Sequence, residues 1–160
     1  MTETVFAPGY QLTIERVFDA PRELVFDCFT DEAHMAAWWG PRGFSAPECR
    51  LDPVPGGEIY IYMAGPTPEW GHPMGGEYVE LDRPSRLVFA SRAFQGEDGE
   101  WGIDNLNELD FEETEDGKTR MTLTTTVRKV SAEILPALGG MKQGWNESLD
   151  KLGEHLAEVR

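Results

Sequence analysis

The sequence predicts an α+β fold in which helices pack on one face of an antiparallel sheet. Two patterns lead to this prediction. Apolar and polar residues alternate in about six separate segments, as in half-buried strands, whereas over residues 131–159 the apolar residues recur at helical spacing. The chain has 160 residues, and single domains run to about 100–200 residues. We therefore expect one domain over residues 1–160.

The first third of the chain predicts one strand and two short helices. The strand covers residues 10–18, where the apolar side chains share one parity. A helix is expected to begin near Pro21, because proline suits the first helical turn. A second helix is expected to begin at Asp31, which can cap it, and to end before Gly40.

Five further strands are predicted in the middle of the chain, and a helix follows them. The strands cover residues 57–64, 75–82, 86–94, 103–112 and 118–128, and the last two form a hairpin. The helical pattern over residues 131–159 contains Pro136 and the pair Gly139-Gly140. These residues predict that the first part of the helix is kinked or separate.

Charge and composition exclude several classes of partner. Acidic residues outnumber basic ones by 29 to 14, which gives a formal charge of −15. Such a surface repels phosphate backbones and anionic lipids, so we expect no nucleic-acid partner and no membrane.

The first residues do not combine a basic segment with an apolar stretch, and we therefore expect a cytoplasmic protein. Three histidines scattered along the chain form no metal motif, so we expect no metal and no cofactor.

Five motifs in one order carry a resemblance to a known family. They cover residues 16–26, 38–44, 55–59, 84–89 and 144–152. Together they resemble the SRPBCC (START-like) superfamily, and within it the branch named after the activator of the heat-shock-protein-90 ATPase, over about residues 10–158. The resemblance implies the helix-grip fold. In that fold a curved antiparallel sheet of about six or seven strands wraps around a long C-terminal helix, two short helices follow strand 1, and a cavity separates sheet from helix.

What the resemblance implies for function is a domain that binds a small, largely hydrophobic molecule without catalysis. A few members of the superfamily catalyse cyclisation or hydration. An enzyme of the same fold, such as a cyclase, hydratase or hydrolase acting on an aromatic or polyketide-like substrate, is therefore the alternative, with Arg16, His72 and Glu77 as its candidate ionisable groups. A co-chaperone-like interaction module is a second alternative, which rests on the family name and on Trp70 and Trp101. We expect no chaperone contact, a small apolar or amphipathic partner, and a monomer or homodimer.

Alternation assigns side chains to the expected cavity. Asn105 and Asn107 share the parity of inward apolar residues, and buried amides need partners, which a ligand, the backbone or water would supply. Arg16 also faces inward, where it could hold a ligand carboxylate, pair with an internal acid or reach solvent. Residues 66–76 would form a loop-like lid. The candidate ligand contacts are Arg16, Trp39, Phe44, Ile59, Ile61, Met63, Trp70, His72, Met74, Phe89, Ser91, Asn105, Asn107, Leu109, Met121, Leu123, Met141 and Trp145.

Overall fold

The computed structural model describes residues 4–5, 10–67, 69 and 71–159. It consists of one antiparallel sheet with helices on its inner face. The first half contains Thr4–Val5 (β1), Gln11–Phe18 (β2), Arg22–Asp27 (α1), Glu32–Trp38 (α2), Ser45–Leu51 (β3) and Glu58–Ala64 (β4). The second half contains His72–Asp82 (β5), Arg86–Gln95 (β6), Trp101–Glu113 (β7), Thr119–Ser131 (β8), a 3-10 helix over Leu135–Gly140, and Met141–Val159 (α3).

The strands follow the order β3-β4-β5-β6-β7-β8, and β1 and β2 both pair with β8. Neighbouring strands are antiparallel throughout this order. The sheet, the two short helices after its first long strand and the C-terminal helix confirm the predicted helix-grip fold. Among the described residues, no helix is both long enough and apolar enough to cross a lipid bilayer.

Three local predictions are wrong. Strand β3 was not expected, because Pro47 and several polar residues interrupt its pattern; it lies at the edge of the sheet, where proline costs no ladder hydrogen bond. Strand β5 begins at His72, so the second half of the expected lid over residues 66–76 is strand. Trp101, for which the surrounding Gly-rich segment predicts a loop, is instead the first residue of β7. The expected lid residue Trp70 lies outside the described residues.

Two helix boundaries follow the predictions. The carboxylate of Asp31 accepts a hydrogen bond from the backbone N–H of His34 at 3.1 Å, which caps α2 as expected. The 3-10 helix contains Pro136, Gly139 and Gly140 and ends where α3 begins. The separate first part of the C-terminal helical region is therefore confirmed.

Apolar side chains fill one half of the space between sheet and α3. Phe29, which follows α1, makes an edge-to-face contact with Trp38 at a centroid distance of 4.8 Å and a tilted contact with Phe111 at 6.1 Å. Helix α3 contributes Leu149, Leu152 and Leu156 to the same cluster. Full burial of such a side chain stabilises the fold by about 1.5–3 kcal/mol. Seven predicted cavity residues are buried inside the fold instead, namely Ile59, Ile61, Phe89, Asn107, Leu109, Met121 and Leu123.

The outer face of the sheet carries a network of ion pairs. The guanidinium of Arg86 pairs with Glu80, Glu108 and Asp110. Farther along the strands, Arg92 and Arg128 share the carboxylate of Asp104. Several acidic residues of the outer face are thereby paired, which reduces the repulsion among their carboxylates.

Candidate functional site

A pocket of about 360 Å³ lies between the first half of α3 and strands β4 to β7. Most of its lining is apolar, and three polar side chains, His72, Ser91 and Asn105, reach it from the sheet. Ser148 reaches it from α3. The lining residues are Trp39, Gly40, Pro41, Phe44, Met63, His72, Met74, Ser91, Ala93, Phe94, Ile103, Asn105, Met141, Gly144, Trp145 and Ser148.

Two tryptophans form one wall of the pocket. The ring of Trp39 is buried and meets the ring of Trp145 edge to face, with centroids 5.7 Å apart and planes at 88°. The indole N–H of Trp39 donates to the Sδ atom of Met74 at 3.2 Å. Trp39, at the end of α2, thereby contacts both α3 and β5.

Residues 40–44, which line the pocket next to Trp39, are tied to α3. The ammonium of Lys151 donates to the carbonyl oxygens of Gly40 and Phe44, at 3.0 Å each. Arg42 forms an ion pair with Glu154, and its backbone N–H donates to the carboxylate of Glu147 at 3.0 Å. Burial, together with the nearby Arg42 charge, lowers the pKa of Lys151. The Lys151 ammonium thus serves the backbone around the pocket and not its interior.

Two buried polar atoms at the pocket have no hydrogen-bond partner among the described residues: Nδ1 of His72 and Oδ1 of Asn105. Burial lowers the pKa of His72 below its usual value, so its imidazole is neutral at pH 7. A buried polar group without a partner costs about 1–3 kcal/mol. A molecule that filled the pocket and hydrogen-bonded to these atoms would remove that cost.

Asn107 differs from Asn105 although the sequence places both on one face. Its side-chain NH₂ group donates to the carbonyl oxygen of Phe89 at 3.2 Å and to the Ser91 hydroxyl at 3.0 Å. Its Oδ1 accepts from the Thr125 hydroxyl at 2.8 Å. The inward orientation of Asn107 is confirmed, but its amide is engaged with the protein and does not line the pocket.

Phe94 lines the pocket and escaped prediction. Neighbouring residues of a regular strand face opposite sides, yet Ala93 and Phe94 both line the pocket. The reason is the backbone of Phe94, whose φ of 59° lies in the left-handed region. Opposite it stands Gly102, where a Cβ would lie 2.9 Å from the Phe94 carbonyl oxygen. The pattern of apolar residues along a strand does not predict a left-handed backbone conformation at one of its positions.

Gly144 and Ser148 were also missed, although a signal for them exists. They lie three and seven residues after Met141, on the helical face that Met141 and Trp145 share. The face was read from its apolar members alone, and a glycine and a serine do not add to an apolar pattern.

Apart from Trp70, which lies outside the described residues, the candidate contacts therefore fall into three groups. Nine of them line the pocket: Trp39, Phe44, Met63, His72, Met74, Ser91, Asn105, Met141 and Trp145. The seven buried residues given with the core do not line it. Arg16 does not line it either, because its guanidinium pairs with Asp150 and donates to Oδ1 of Asn146 at 3.3 Å, both on α3. Arg16 thus pairs with an acid, one of the alternatives that the sequence left open, and its role toward a ligand carboxylate stays a prediction.

The other two ionisable or aromatic candidates lie away from the pocket. Glu77 pairs with Arg92 on the outer face, and the hydrogen bond from Arg92 lowers the pKa of its carboxyl. Trp101 is half-buried and lies over Gly75, where a Cβ would come within 2.9 Å of its ring. Of the three ionisable groups considered for catalysis, His72 alone lines the pocket in the part of the chain that is described.

The histidines are not all scattered in space. Nδ1 of His34 and Nε2 of His155 lie 2.8 Å apart, although 121 residues separate them in the chain. The Cys28 side chain lies beside them, with the ligand atoms of the three residues within 4.8 Å of one another. The expectation that the histidines are too far apart for a shared site is wrong for this pair.

Comparison with known proteins places the chain among proteins of this fold. The sequence model of one family, described as activator of Hsp90 ATPase homolog 1-like protein, matches residues 19–157. An uncharacterised protein from Rhizobium leguminosarum is 26% identical, with a TM-score of 0.80 and coverage of 99% of each chain. A protein from Mycobacterium smegmatis is 27% identical, with a TM-score of 0.73 over 91% of this chain and 90% of its own.

A protein from Chromobacterium violaceum shares the fold at 23% identity, with a TM-score of 0.75 over 91% of this chain and 96% of that one. None of these three structures carries a stated activity or ligand in its description. A search of the functionally curated proteins gave no match.

Proposed function

The chain belongs to the family of activator of Hsp90 ATPase homolog 1-like proteins, and on that premise we propose that it binds a small, largely apolar molecule in the pocket between sheet and α3. The observation that carries the proposal is the pairing of an apolar lining with two unpartnered polar atoms, Asn105 Oδ1 and His72 Nδ1. Binding sites of small molecules combine an apolar wall with a few polar groups that fix orientation.

The size and charge of the pocket limit the kinds of molecule that could bind in it. A volume of about 360 Å³ lies near the lower end of the usual range for ligand pockets, about 300–1,000 Å³. No Lys or Arg stands among the described residues that line it. An anionic ligand would therefore lose its hydration without gaining a cationic partner. The ligand we propose is small and neutral.

The polar atoms define one further property of the ligand. Oδ1 of Asn105 is an acceptor, and it calls for a hydroxyl or N–H donor on the bound molecule. Nδ1 of the neutral His72 ring accepts or donates according to the tautomer. The proposed ligand thus has an apolar body and at least one hydrogen-bond donor.

A matched pair of probes tests this proposal. We expect 2-naphthol, which carries a donor, to bind more tightly than naphthalene, which has the same ring system without one. Asn105→Leu should remove that preference and leave the affinity for naphthalene unchanged or higher. Titration calorimetry measures both affinities. Arg16→Ala, outside the pocket, is the control and should behave like the wild type.

Two results would count against the proposal: failure of both probes to bind, and a preference for naphthol that survives in Asn105→Leu. The natural ligand can be sought separately by weighing the gently purified protein under native and then denaturing conditions. A reproducible extra mass that is lost on denaturation identifies a bound molecule.

One observation favours a second candidate, an enzyme of the same fold. His72 is a half-buried imidazole with a lowered pKa, which keeps it available as a general base at pH 7. We propose that it would activate water or a substrate hydroxyl in the pocket. Saturable hydrolysis of 2-naphthyl acetate that is lost in His72→Gln, while naphthol still binds, would favour the enzyme. Equal rates for wild type and variant would exclude this role of His72.

A further inference from the structure

Cys28, His34 and His155 form a compact cluster away from the apolar pocket. Among the described residues they are the one group of three side chains that offers metal-ligating atoms at close range, all within 4.8 Å of one another. Each comes from a different part of the fold: Cys28 follows α1, His34 lies in the first turn of α2, and His155 lies in α3. None of the three lines the apolar pocket.

Hydrogen bonds and packing fix the positions of all three residues. The indole N–H of Trp38 donates to the Cys28 carbonyl oxygen at 2.9 Å. The Asp31 cap holds the backbone of His34. His155 lies beside Leu156, which is buried in the core. These contacts hold the backbone at the three residues, so that rotation of the side chains alone brings their donor atoms onto one ion.

The donor set suits a zinc ion. Zn²⁺ binds cysteine thiolates and imidazole nitrogens, and three protein ligands with a fourth open position are a common arrangement. Tetrahedral Zn²⁺ with Zn–N bonds of about 2.0–2.1 Å holds two nitrogens about 3.3 Å apart. The facing nitrogens of His34 and His155, at 2.8 Å, need to separate by about half an ångström, which small side-chain rotations provide.

We propose that Cys28, His34 and His155 bind one Zn²⁺ ion, with the fourth position open to water. On binding, the S–H bond of Cys28 breaks, the proton leaves to solvent, and the thiolate forms the S–Zn bond. His34 Nδ1 and His155 Nε2 bind as neutral imidazole nitrogens: their mutual hydrogen bond breaks, and the ring that donated it shifts its proton to its other nitrogen. The site then carries a net charge of +1, because one thiolate meets a divalent ion and the two imidazoles add no charge.

Nearby carboxylates favour that positive charge. Those of Asp27 and Asp31 act electrostatically on Cys28, and that of Glu158 acts on His155. The three carboxylates that oppose a thiolate in the free protein stabilise the cation in the zinc-bound one.

The half-buried side chains of His34 and His155 give the ion a way in, since Cys28 itself is fully buried. A bound ion would link the segment after α1 and the start of α2 to the second half of α3. We therefore expect zinc to stabilise the docking of α3.

Cobalt is the probe for this site, because Co²⁺ takes the same ligands and is coloured. We expect the full-length, reduced protein to bind one Co²⁺ per chain with a thiolate-to-cobalt charge-transfer band in the near ultraviolet, and Zn²⁺ to displace it. Cys28→Ser should abolish the band. His34→Gln and His155→Gln should each weaken Co²⁺ binding by about tenfold or more. Zn²⁺ should raise the unfolding temperature of the wild type and not that of the three variants.

Cys49→Ser and His72→Gln are the matched controls, because they remove the other cysteine and the third histidine outside the cluster. Both should keep the band. A missing band in the wild type, or a band that persists in Cys28→Ser or disappears in Cys49→Ser, would overturn the site. If Cys28→Ser does not fold, His155→Gln provides the test. An unchanged Co²⁺ affinity in that variant would also overturn the proposed site.

Discussion

The imidazole of His72 lies against the ring of Phe94, with ring centroids 4.9 Å apart and planes tilted by 32°. Both residues line the apolar pocket, and both also line a second pocket of about 300 Å³ that contains Glu100 and Glu133. The stacked pair therefore separates an apolar space from a more polar one. The ring of Phe94 thus covers one side of the half-buried imidazole.

Phe94→Ala should raise the pKa of His72 toward its usual value. Loss of the ring lets water reach the imidazole, and burial is the main cause of the lowered pKa. An NMR titration of the His72 ring resonances measures the change. The resonances of His155 serve as the internal control and should not move. An unchanged His72 titration would show that Phe94 does not shield the ring.

His72→Gln should make stability less sensitive to mild acid. In the unfolded chain His72 titrates near about pH 6.5, and in the folded chain burial lowers its pKa. Below about pH 6.5 the unfolded chain therefore binds more protons than the folded chain, and the free energy of unfolding decreases as the pH is lowered. Urea unfolding between about pH 7 and 5.5 should give a shallower fall for the variant. Parallel curves for variant and wild type would contradict this.

Asn107→Leu should destabilise the protein by about 2–3 kcal/mol. The substitution removes a fully buried amide and leaves the Ser91 and Thr125 hydroxyls without their partner. Asn105→Leu removes an acceptor that has no partner, and its stability should equal or exceed that of the wild type. Urea unfolding of both variants makes the comparison. Equal losses at the two positions would mean that Asn105 is also engaged.

Substitutions of Gly144 should separate stability from binding. A Cβ at Gly144 would meet no atom within 4 Å. Gly144→Ala should therefore stabilise α3 by about 1 kcal/mol, the usual difference between the two residues in a helix. Gly144→Leu should fill the pocket and weaken 2-naphthol binding by at least about tenfold, or ~1.4 kcal/mol, without unfolding the protein. Calorimetry and urea unfolding measure the two effects, and undiminished binding in Gly144→Leu would place the ligand elsewhere.

Arg16→Ala should lower stability by no more than about 1 kcal/mol, the usual limit for an ion pair near the surface. The Arg16 side chain is 26% exposed and that of Asp150 is 53% exposed, so water screens the pair. The affinity for 2-naphthol should stay the same. A large loss of affinity for 2-naphthol would show that Arg16 takes part in binding.

Most of the fold could be predicted from the sequence because long strands and a long helix repeat their apolar pattern many times. The alternation in β4 and the helical spacing in α3 each extend over several buried residues. Strand β3 has no such redundancy. It spans seven residues, lies at an edge, contains Pro47, and shifts its register against β4 between Ser45 and Glu48.

The site was less predictable because it depends on single exceptions to the patterns. Parity alone cannot distinguish Asn105 from Asn107, since the difference lies in which partners each amide meets. The orientation of Phe94 depends on one backbone angle. The meeting of His34 with His155 depends on how α3 packs against α2, and no spacing along the chain encodes that distance.

The division of the space beneath α3 has a consequence for how this protein can change. The half filled by Phe29, Trp38 and Phe111 supplies the cohesion of the domain, and few substitutions there are neutral. The other half faces the pocket, where a side chain at Gly144 would meet no other atom. On the function proposed above, substitutions there would change which molecule fits while the domain stays folded.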